Sequence, residues 1–447
     1  MHLGQFRTRI YIFIIFIGKQ QCEKAIEYVL GSVKNGTILL TSPSQTKLLL
    51  KETAMIRVIT QNSSIQCSAF KSDNGAQEFY IMISTGNAGS LIDALTELDK
   101  SYSQVLEHCG LSDETLVAAR FHVNNLANQK EKLQQSPIYR AVERCAVSII
   151  EQPPLDGRFV TLFVYHIECR GKALIKRTVA IDDQKWRNGC TVKGEHYTMF
   201  WLMNIDGRRL PGPQHQTREV FNILTEFLEQ EGMTLRGNTI RTWVYIHDID
   251  RNYSGMVDAR REFFIRHGLT KETRYIASTG IEGRSKETNT IVTLDSLSLT
   301  GLRPGQLITM EAPTHLSPTI QYGVTFERGT RVRFGDRSHL YISGTASINC
   351  NGDVVHTGDV RKQTSRTLEN ISALLHQQSA TLADMAYLVV YLRNPEDYLL
   401  VKEVAEREVP VQVPRIYLEA AVCRPDWLVE IEGVAIIPDS ADFPVFL

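Results

Sequence analysis

The sequence predicts an α+β protein made of three tandem β-sheet domains, each with helices on one face of its sheet. Strand-like and helix-like stretches follow one another in the same β–α–β–β–α–β-like order three times along the 447 residues. Anchor residues such as Leu111, Leu235 and Leu382 recur at intervals of roughly 120–150 residues, which is the size of a domain rather than of a solenoid repeat. Helices that carry one apolar stripe suit an arrangement in which they cover one face of a sheet.

Each copy begins with a predicted strand, over 78–85, 196–203 and 340–343. An amphipathic helix follows in each copy, with the apolar stripe Leu91, Leu95, Leu98, Tyr102, Val105 and Leu106, then Val220, Leu224, Phe227 and Leu228, and finally Leu368, Ile371, Leu374 and Leu375. A buried strand is predicted after each helix, over 116–123, 240–246 and 387–392. Polar, Gly-rich or Pro-rich stretches separate the copies. We therefore place an N-terminal segment at 1–54 and three domains at 55–170, 171–300 and 301–447.

Composition excludes several classes of protein. Hydrophobic residues make up 43% and charged residues 22% of the chain, which is typical of a folded globular protein. The 49 basic and 50 acidic residues nearly cancel, so no strong field favours nucleic acid or a membrane surface as a partner. The eight cysteines are spread singly without a CxxC pair, which indicates reduced thiols and a cytoplasmic protein.

The N-terminal apolar run at 10–17 is too short to cross a bilayer, since about 20 residues are needed. No small-residue cleavage pattern follows it, so we expect that it is neither removed nor embedded in a membrane. The chain has no phosphate-binding glycine loop, no nucleophile elbow and no HExxH motif. No metal, nucleotide or flavin is implied, and we expect a protein that needs no cofactor.

The most informative residues lie near the C-terminus. Residues 429–432 alternate between apolar and acidic, so Glu430 and Glu432 share one face of a predicted strand. That face is either solvated or lines a cleft in which burial raises the pKa of Glu430 enough for proton transfer near neutrality. Cys423 suits a small buried side chain or a site wall, and Ser343-Gly344 suits a pocket floor or a β-bulge.

Several motifs carry a resemblance to a known family. They are YISGTASI at 341–348, HTGD at 356–359, Gln363, Asn370, Pro414-Arg415, Cys423-Arg424-Pro425 and VEIE at 429–432. This pattern resembles the Rid (YjgF, endoribonuclease L-PSP-like) superfamily, with the chorismatases as its most similar branch. The resemblance is strong over about 320–437 and extends to the second copy through RTWVY at 241–245 and TGI at 279–281. It implies three tandem Rid-like domains with the chorismate mutase-like fold.

The resemblance also implies roles for individual residues. Glu430 would be the catalytic acid, and Arg415 would hold the substrate carboxylate, since Rid sequences have an arginine 15 residues before their glutamate. A structural salt bridge between Arg415 and Glu430 is the alternative. The other substrate-binding residues would be Cys423, Ser343, Gly344 and Tyr322.

The activity implied is that of a cofactor-free enzyme on a small carboxylate-bearing enol ether or imine, with chorismatase-like release of pyruvate favoured. The alternatives are a non-catalytic Rid-like protein that binds a metabolite or a partner, an imine deaminase, and an endoribonuclease. Lys402 stands where Rid deaminases carry an asparagine, which counts against deamination, and the neutral charge counts against RNA.

Rid proteins are usually homotrimers with pockets between subunits. Three copies in one chain could form the same ring about a pseudo-threefold axis, so we expect a monomeric pseudo-trimer or a low homo-oligomer. One complete site is expected, in the third copy, with walls from the second. The expected partner is a small carboxylate, with no nucleic acid and no membrane.

Overall fold

The computed structural model describes residues 55–447 except 60–63, 73–74, 86–87, 156–158, 170–174, 182–185, 208–209, 286–288 and 320–322. The N-terminal segment 1–54, with its apolar run, and Tyr322 lie outside the described residues. In the described part of the chain, no helix has the length and apolar character that a bilayer-spanning segment needs.

The first sheet has strand order β1-β2-β3-β6-β4-β5, and the short strand Arg284–Ser285 of the second repeat extends its edge beside β5. Its strands are β1 (Met55–Ile59), β2 (Ser64–Phe70), β3 (Gln77–Ser84), β4 (Leu116–Val123), β5 (Ala146–Glu151) and β6 (Val160–Glu168), and its helices are α1 (Leu91–Cys109), α2 (Leu126–Gln135) and α3 (Pro137–Val142). The Ser90 hydroxyl caps the start of α1, and Gly110, at φ 68°, ends it in the left-handed region.

The second sheet repeats this order as β7-β8-β9-β13-β10-β11. Its strands are β7 (Ile175–Ile181), β8 (Trp186–Lys193), β9 (Thr198–Asp206), β10 (Thr239–Ile246), β11 (Ala277–Glu282) and β13 (Val292–Thr300), and the short strand β12 (Arg284–Ser285) between β11 and β13 joins the first sheet instead. Its helices are α4 (Gly212–Gln230), α5 (Leu235–Asn238) and α6 (Ile249–Arg266).

The third sheet has the order β14-β15-β16-β19-β17-β18. Its strands are β14 (Leu307–Met310), β15 (Gly329–Arg333), β16 (Arg337–Ala346), β17 (Met385–Leu392), β18 (Arg415–Glu419) and β19 (Val429–Pro438), and its helices are α7 (Val360–His376) and α8 (Tyr398–Glu408), with 3₁₀ turns at Leu382–Asp384 and Pro395–Asp397. The three sheets therefore share one topology, and the predicted α+β class with three tandem repeats is confirmed.

Alternating residues of each strand are buried on opposite faces. On β3, Ile81 and Ile83 pack with the helices of the first repeat, whereas Tyr80 and Met82 join a core shared with the other two sheets. Ring contacts cross this shared core, for example between Tyr80 and Tyr387, with ring centroids 5.5 Å apart. The helices thus cover one face of the sheet, and the sheets cover one another on the other face.

Backbone hydrogen bonds and buried ion pairs also join the sheets. Strand β12 pairs with β5, and isolated bridges link Pro154 to Leu418 and Ile281 to Val422. Three buried ion pairs connect different sheets: Arg120–Asp295, Arg241–Glu432 and Arg337–Glu78. Residues far apart in sequence therefore meet where two sheets touch.

Candidate active site

A cavity of about 320 Å³ lies between the second and third sheets. The second repeat contributes helix α6 and strand β11 to its wall, and the third contributes the ends of β16 and β19 and the turn between β18 and β19. The lining residues that matter for chemistry are Tyr253, Arg260, Ser278, Gly344, Cys423, Trp427 and Glu430. Two repeats thus supply the walls of one cavity.

Glu430 reaches the cavity from the start of β19. Strand alternation puts Glu430 and Glu432 on the same face, and both are buried, with 4% and 1% of their surface exposed. This face is therefore not the solvated face that the sequence left open. Gly344 lies directly against the Glu430 carboxyl, because a Cβ atom at position 344 would stand 2.1 Å from Glu430 Oε1. A glycine here lets the carboxyl approach the floor of the cavity.

The surroundings of Glu430 favour its protonated form. Burial, followed by the nearby Glu432 charge, raises its pKa, Arg241 and Arg328 oppose both effects, and the resulting pKa is about 8. At neutral pH, Glu430 therefore holds a proton that it can give to a bound ligand. That is the state required of a general acid.

Arginines give the cavity its positive character. Arg260, Arg261, Arg328 and Arg424 all line it. The Arg260 side chain is 2% exposed, and its Nε donates to Thr325 Oγ1 at 3.3 Å. Its Nη2 is buried without a hydrogen-bond partner in the part of the chain that the structure describes. A buried guanidinium nitrogen in a cavity wall is well suited to bind an anionic oxygen.

Cys423 and Tyr253 form a neutral part of the wall. Burial, followed by the Glu430 charge, raises the pKa of Cys423 to about 12, while a hydrogen bond with Tyr253 opposes this. Burial also raises the pKa of Tyr253 well above its ordinary value. Both groups are protonated at neutral pH, so Cys423 is a wall residue with a thiol rather than a thiolate nucleophile.

The structure brings together three of the residues singled out from the sequence, since Glu430, Cys423 and Gly344 line one cavity. Ser343 is adjacent, but its hydroxyl joins the two repeats: it donates to the Glu327 carbonyl and accepts from the backbone N–H of Ser278 at 3.0 Å. The predicted roles of Glu430, Cys423, Gly344 and Ser343 in catalysis and substrate binding stay predictions. Tyr322 lies outside the described residues.

Arg415 is placed differently from what the resemblance implies. It begins strand β18, and its guanidinium donates to the backbone carbonyls of Ala405, Val409, Pro410 and Val413 at 2.6–3.4 Å. These carbonyls belong to the end of helix α8 and the loop after it, so Arg415 holds that end against β18. Its side chain is thus committed to backbone groups, and neither the predicted shared pocket with Glu430 nor the alternative Arg415–Glu430 salt bridge is formed.

Sequence reasoning missed the contribution of helix α6. Arg260 lies between Met256 and Phe264 in a stripe of buried residues, and an arginine within an apolar stripe was the available signal. Nothing local, however, shows that this helix faces Gly344 and Glu430 of the next repeat. As for metals, the described residues contain no group of three or more His, Cys, Asp or Glu that could hold one.

The comparisons with known proteins agree with this architecture. Residues 332–437 match the family model for endoribonuclease L-PSP. A 3-hydroxybenzoate synthase from Streptomyces hygroscopicus is 27% identical over 317 residues, which cover 64% of this chain and 88% of that protein. The 3-aminoacrylate deaminase RutC from Acinetobacter baylyi is 34% identical over 97 residues, which cover 22% of this chain and 77% of RutC.

The crystal structure of a chorismatase shares the fold, with a TM-score of 0.57 and 21% identity over 81% of this chain and 100% of that one. The chain belongs to the Rid superfamily, close to its chorismatase branch.

Proposed function

We propose that the chain is a cofactor-free enzyme that cleaves a small carboxylate-bearing enol ether, with chorismatase-like hydrolysis of chorismate to release pyruvate as the favoured reaction. The observation that carries the proposal is the buried carboxyl of Glu430, whose pKa is raised by burial, in a cavity that is also lined by arginines. The similarity to proteins named 3-hydroxybenzoate synthase and chorismatase supports it.

The reaction would begin with proton transfer from Glu430 to the methylene carbon of the enol ether. The carbon that bears the ether oxygen becomes an oxocarbenium ion, water adds to it, and Glu430 regains a proton from that water. The resulting hemiketal breaks its bond to the ring oxygen, giving pyruvate and a ring alcohol. Positioned proton donation of this kind contributes typically ~10²–10⁴ in rate.

The arginines would hold the substrate during this step. A ligand with two carboxylates would meet Arg260 from the second repeat and Arg328 from the third, which both line the cavity. Arg328 is itself oriented, because its Nε and Nη2 donate to the Ser317 carbonyl at 3.1 and 2.9 Å. Charge-assisted hydrogen bonds fix such a ligand more strongly than neutral ones do.

The test is to incubate the purified protein with chorismate, to measure pyruvate by a coupled dehydrogenase assay, and to identify the ring product by chromatography. We expect turnover by the wild type and a loss of at least ~10²-fold in kcat for Glu430→Gln, which keeps the shape but removes the proton. Chorismate binding, measured by calorimetry, should be largely retained by this variant.

Glu419→Gln is the matched control, because Glu419 lies on β18 of the same sheet and does not line the cavity. It should keep wild-type turnover. Full activity of Glu430→Gln would contradict the proposal. Binding of chorismate by the wild type without pyruvate would support a metabolite-binding protein instead.

Imine deamination is the second candidate, supported by the identity with the deaminase RutC. The same preparation should be assayed with an enamine or imine of a small 2-keto acid, with ammonia as the readout. Since Arg415 is bound to backbone carbonyls, carboxylate recognition for that reaction would fall to the arginines of the cavity. Ammonia release without any pyruvate from chorismate would favour this candidate.

A further inference from the structure

Glu432, two residues after Glu430, is enclosed by hydrogen-bond donors from three strands. Its Oε1 accepts from Trp243 Nε1 at 2.9 Å and from the Tyr391 hydroxyl at 2.9 Å. Its Oε2 accepts from Arg241 Nη2 and from the Thr279 hydroxyl. Arg241, Trp243 and Thr279 belong to the second repeat, so the carboxylate is held across the contact between two sheets.

The direction of these bonds fixes the charge of Glu432. Thr279 Oγ1 accepts from Arg241 Nη2 and from the Gly344 backbone N–H, the latter at 2.9 Å, so its own hydrogen is directed to Glu432. Arginine and indole nitrogens only donate. A proton on Glu432 would displace at least one of these donors, so the group stays a carboxylate with a full negative charge.

Glu430 has the opposite environment. It lies on the same face of β19 and touches Gly344, whose N–H is part of the Glu432 network. The charged groups with the largest effect on it are Glu432, Arg241 and Arg328, and the neutral Tyr253 and Cys423 face it from α6 and from the turn before β19. The same cavity is also lined by the ionisable side chains of Asp258, Arg260, Arg261 and Arg424. The hydrogen bonds recorded among the described residues do not include one to its carboxyl.

We infer that Glu432 is a positioning residue whose clamped negative charge keeps the proton on Glu430 and so sets the pH range in which that acid can act. The effect of Glu432 on catalysis rests on the proposed function. Its effect on the ionisation of Glu430 does not, because that ionisation can be measured without any turnover. Glu432 itself is surrounded by donors and does not line the cavity.

The chain contains a second buried carboxylate, Asp295, in similar surroundings, but no residue equivalent to Glu430 lies beside it. At the contact between the first and second sheets, Asp295 accepts from Arg120 Nε and Nη2, from the Ser148 hydroxyl and from the Asn204 backbone N–H at 2.6–3.1 Å. In its sheet, Asp295 has the register position of Glu432, since β10 pairs Trp243 with Asp295 where β17 pairs Val389 with Glu432. Two residues earlier stands Thr293 in place of Glu430.

The experiment compares Glu432→Gln with Asp295→Asn. The titration of Glu430 is followed by its protonated carboxyl band in infrared difference spectra, assigned by its loss in Glu430→Gln, and in parallel by the pH profile of kcat. We expect Glu432→Gln to move both midpoints to lower pH by roughly one unit or more, because a like charge is removed and Arg241 is left uncompensated. Asp295→Asn should move neither midpoint.

A second variant separates charge from structure. In the double variant Glu432→Gln, Arg241→Gln the pair is again without net charge, so the pH midpoint of Glu430 should return toward the wild-type value. If Glu432 had a merely structural role, the second substitution would move the midpoint further from the wild-type value. An unchanged infrared midpoint in Glu432→Gln, or an equal shift in Asp295→Asn, would overturn the inference. An infrared shift in a protein that does not cleave chorismate would support the inference and contradict only the proposed reaction.

Discussion

Glu430 and Glu432 show how two identical side chains on one strand face acquire different chemistry. Glu432 accepts hydrogen bonds from Arg241, Trp243, Thr279 and Tyr391, which stabilise its charged form. Glu430 is equally buried, but it faces the cavity and its neighbour's negative charge. Desolvation and like charge both favour its neutral form. Glu432 is therefore suited to stay a bound anion, whereas Glu430 is suited to carry a proton and to donate it.

The raised pKa of Glu430 has a consequence for stability. Because its pKa rises from an ordinary value of 4.5 to about 8 in the folded protein, its favourable contribution is complete below 4.5 and is lost as pH rises toward 8. Gln cannot ionise, so Glu430→Gln should become more stable than wild type over this interval, by at most ~1.4 kcal/mol per pH unit. Denaturant unfolding at pH 5 and pH 8 measures this difference.

Glu403→Gln is the control for that measurement, because Glu403 is exposed on α8 and its pKa is lowered by Arg361 rather than raised. Its stability relative to wild type should not rise between pH 5 and 8. If Glu430→Gln shows the same stability difference from wild type at both pH values, Glu430 is already ionised in the folded protein at pH 5. That result would contradict the general-acid role, because Glu430 would have no proton to donate.

At the scale of residues, the sequence was sufficient to single out Glu430, Cys423 and Gly344, which line the cavity, because strand alternation and short motifs are local properties. It did not predict Arg260 as a cavity residue. Arg260 is 170 positions from Glu430, and the two line one cavity only because the sheets of two different repeats pack together. A single sequence does not encode such a contact in any local pattern.

At the scale of elements, strand β18 and helix α8 explain why the predicted position of Arg415 was wrong. The spacing of 15 residues to Glu430 was read correctly, but spacing fixes only the backbone position and not the direction of a long side chain. Helix α8 ends with Glu408 and leaves carbonyl groups without helical partners. Arg415 donates to the Val409 and Val413 carbonyls, and it also donates to the Ala405 and Pro410 carbonyls, which accept backbone N–H bonds as well. A cation there also suits the helix dipole.

Arg415→Met should therefore act on stability rather than on ligand binding. The change removes the side-chain donor of the Val409 and Val413 carbonyls, and we expect a loss of roughly 2–4 kcal/mol in the free energy of unfolding. The KM for the substrate should change by less than about twofold, since Arg415 does not line the cavity. Denaturant unfolding and steady-state kinetics on one preparation give both quantities.

Arg407→Met on the same helix is the comparison, because Arg407 is exposed and pairs only with the neighbouring Glu408 among the described residues. It should cost well under 1 kcal/mol. A large rise in KM for Arg415→Met with unchanged stability would restore the carboxylate-binding role that the family resemblance implied.

At the scale of the whole molecule, the repeats in the sequence were sufficient to predict three tandem α+β units. The predicted β–α–β–β–α–β-like order differs from the observed one, because each repeat begins with three strands and has a single strand between its helices. Each predicted strand and helix falls on an observed one, and 116–123 coincides with β4. The contacts between sheets were not predictable in the same way. They depend on polar side chains such as Arg120, Arg241 and Arg337, which occupy buried positions where an apolar residue would be the ordinary choice.

The buried pair Arg337–Glu78 gives a test of whether the sheets unfold together. Burial alone would raise the pKa of Glu78, but His339 and Arg337 outweigh it and lower the pKa from 4.5 to about 2. The stabilisation is thus present above 4.5 and lost as pH falls toward 2. Glu78→Gln leaves Arg337 with an incomplete partner set and should cost about 3 kcal/mol at pH 7.

The location of the tryptophans makes this experiment diagnostic. All four follow residue 185, in the second and third repeats, whereas Glu78 lies on β3 of the first sheet. Because Glu78 is bound to Arg337 on β16, we expect tryptophan fluorescence and far-ultraviolet circular dichroism to report the same lowered unfolding midpoint. Removal of the exposed pair Arg361–Glu403 should leave both midpoints nearly unchanged. If Glu78→Gln lowers the dichroism midpoint and leaves the fluorescence midpoint at its wild-type value, the first sheet unfolds independently, and the ion pairs between sheets do not make the molecule one cooperative unit.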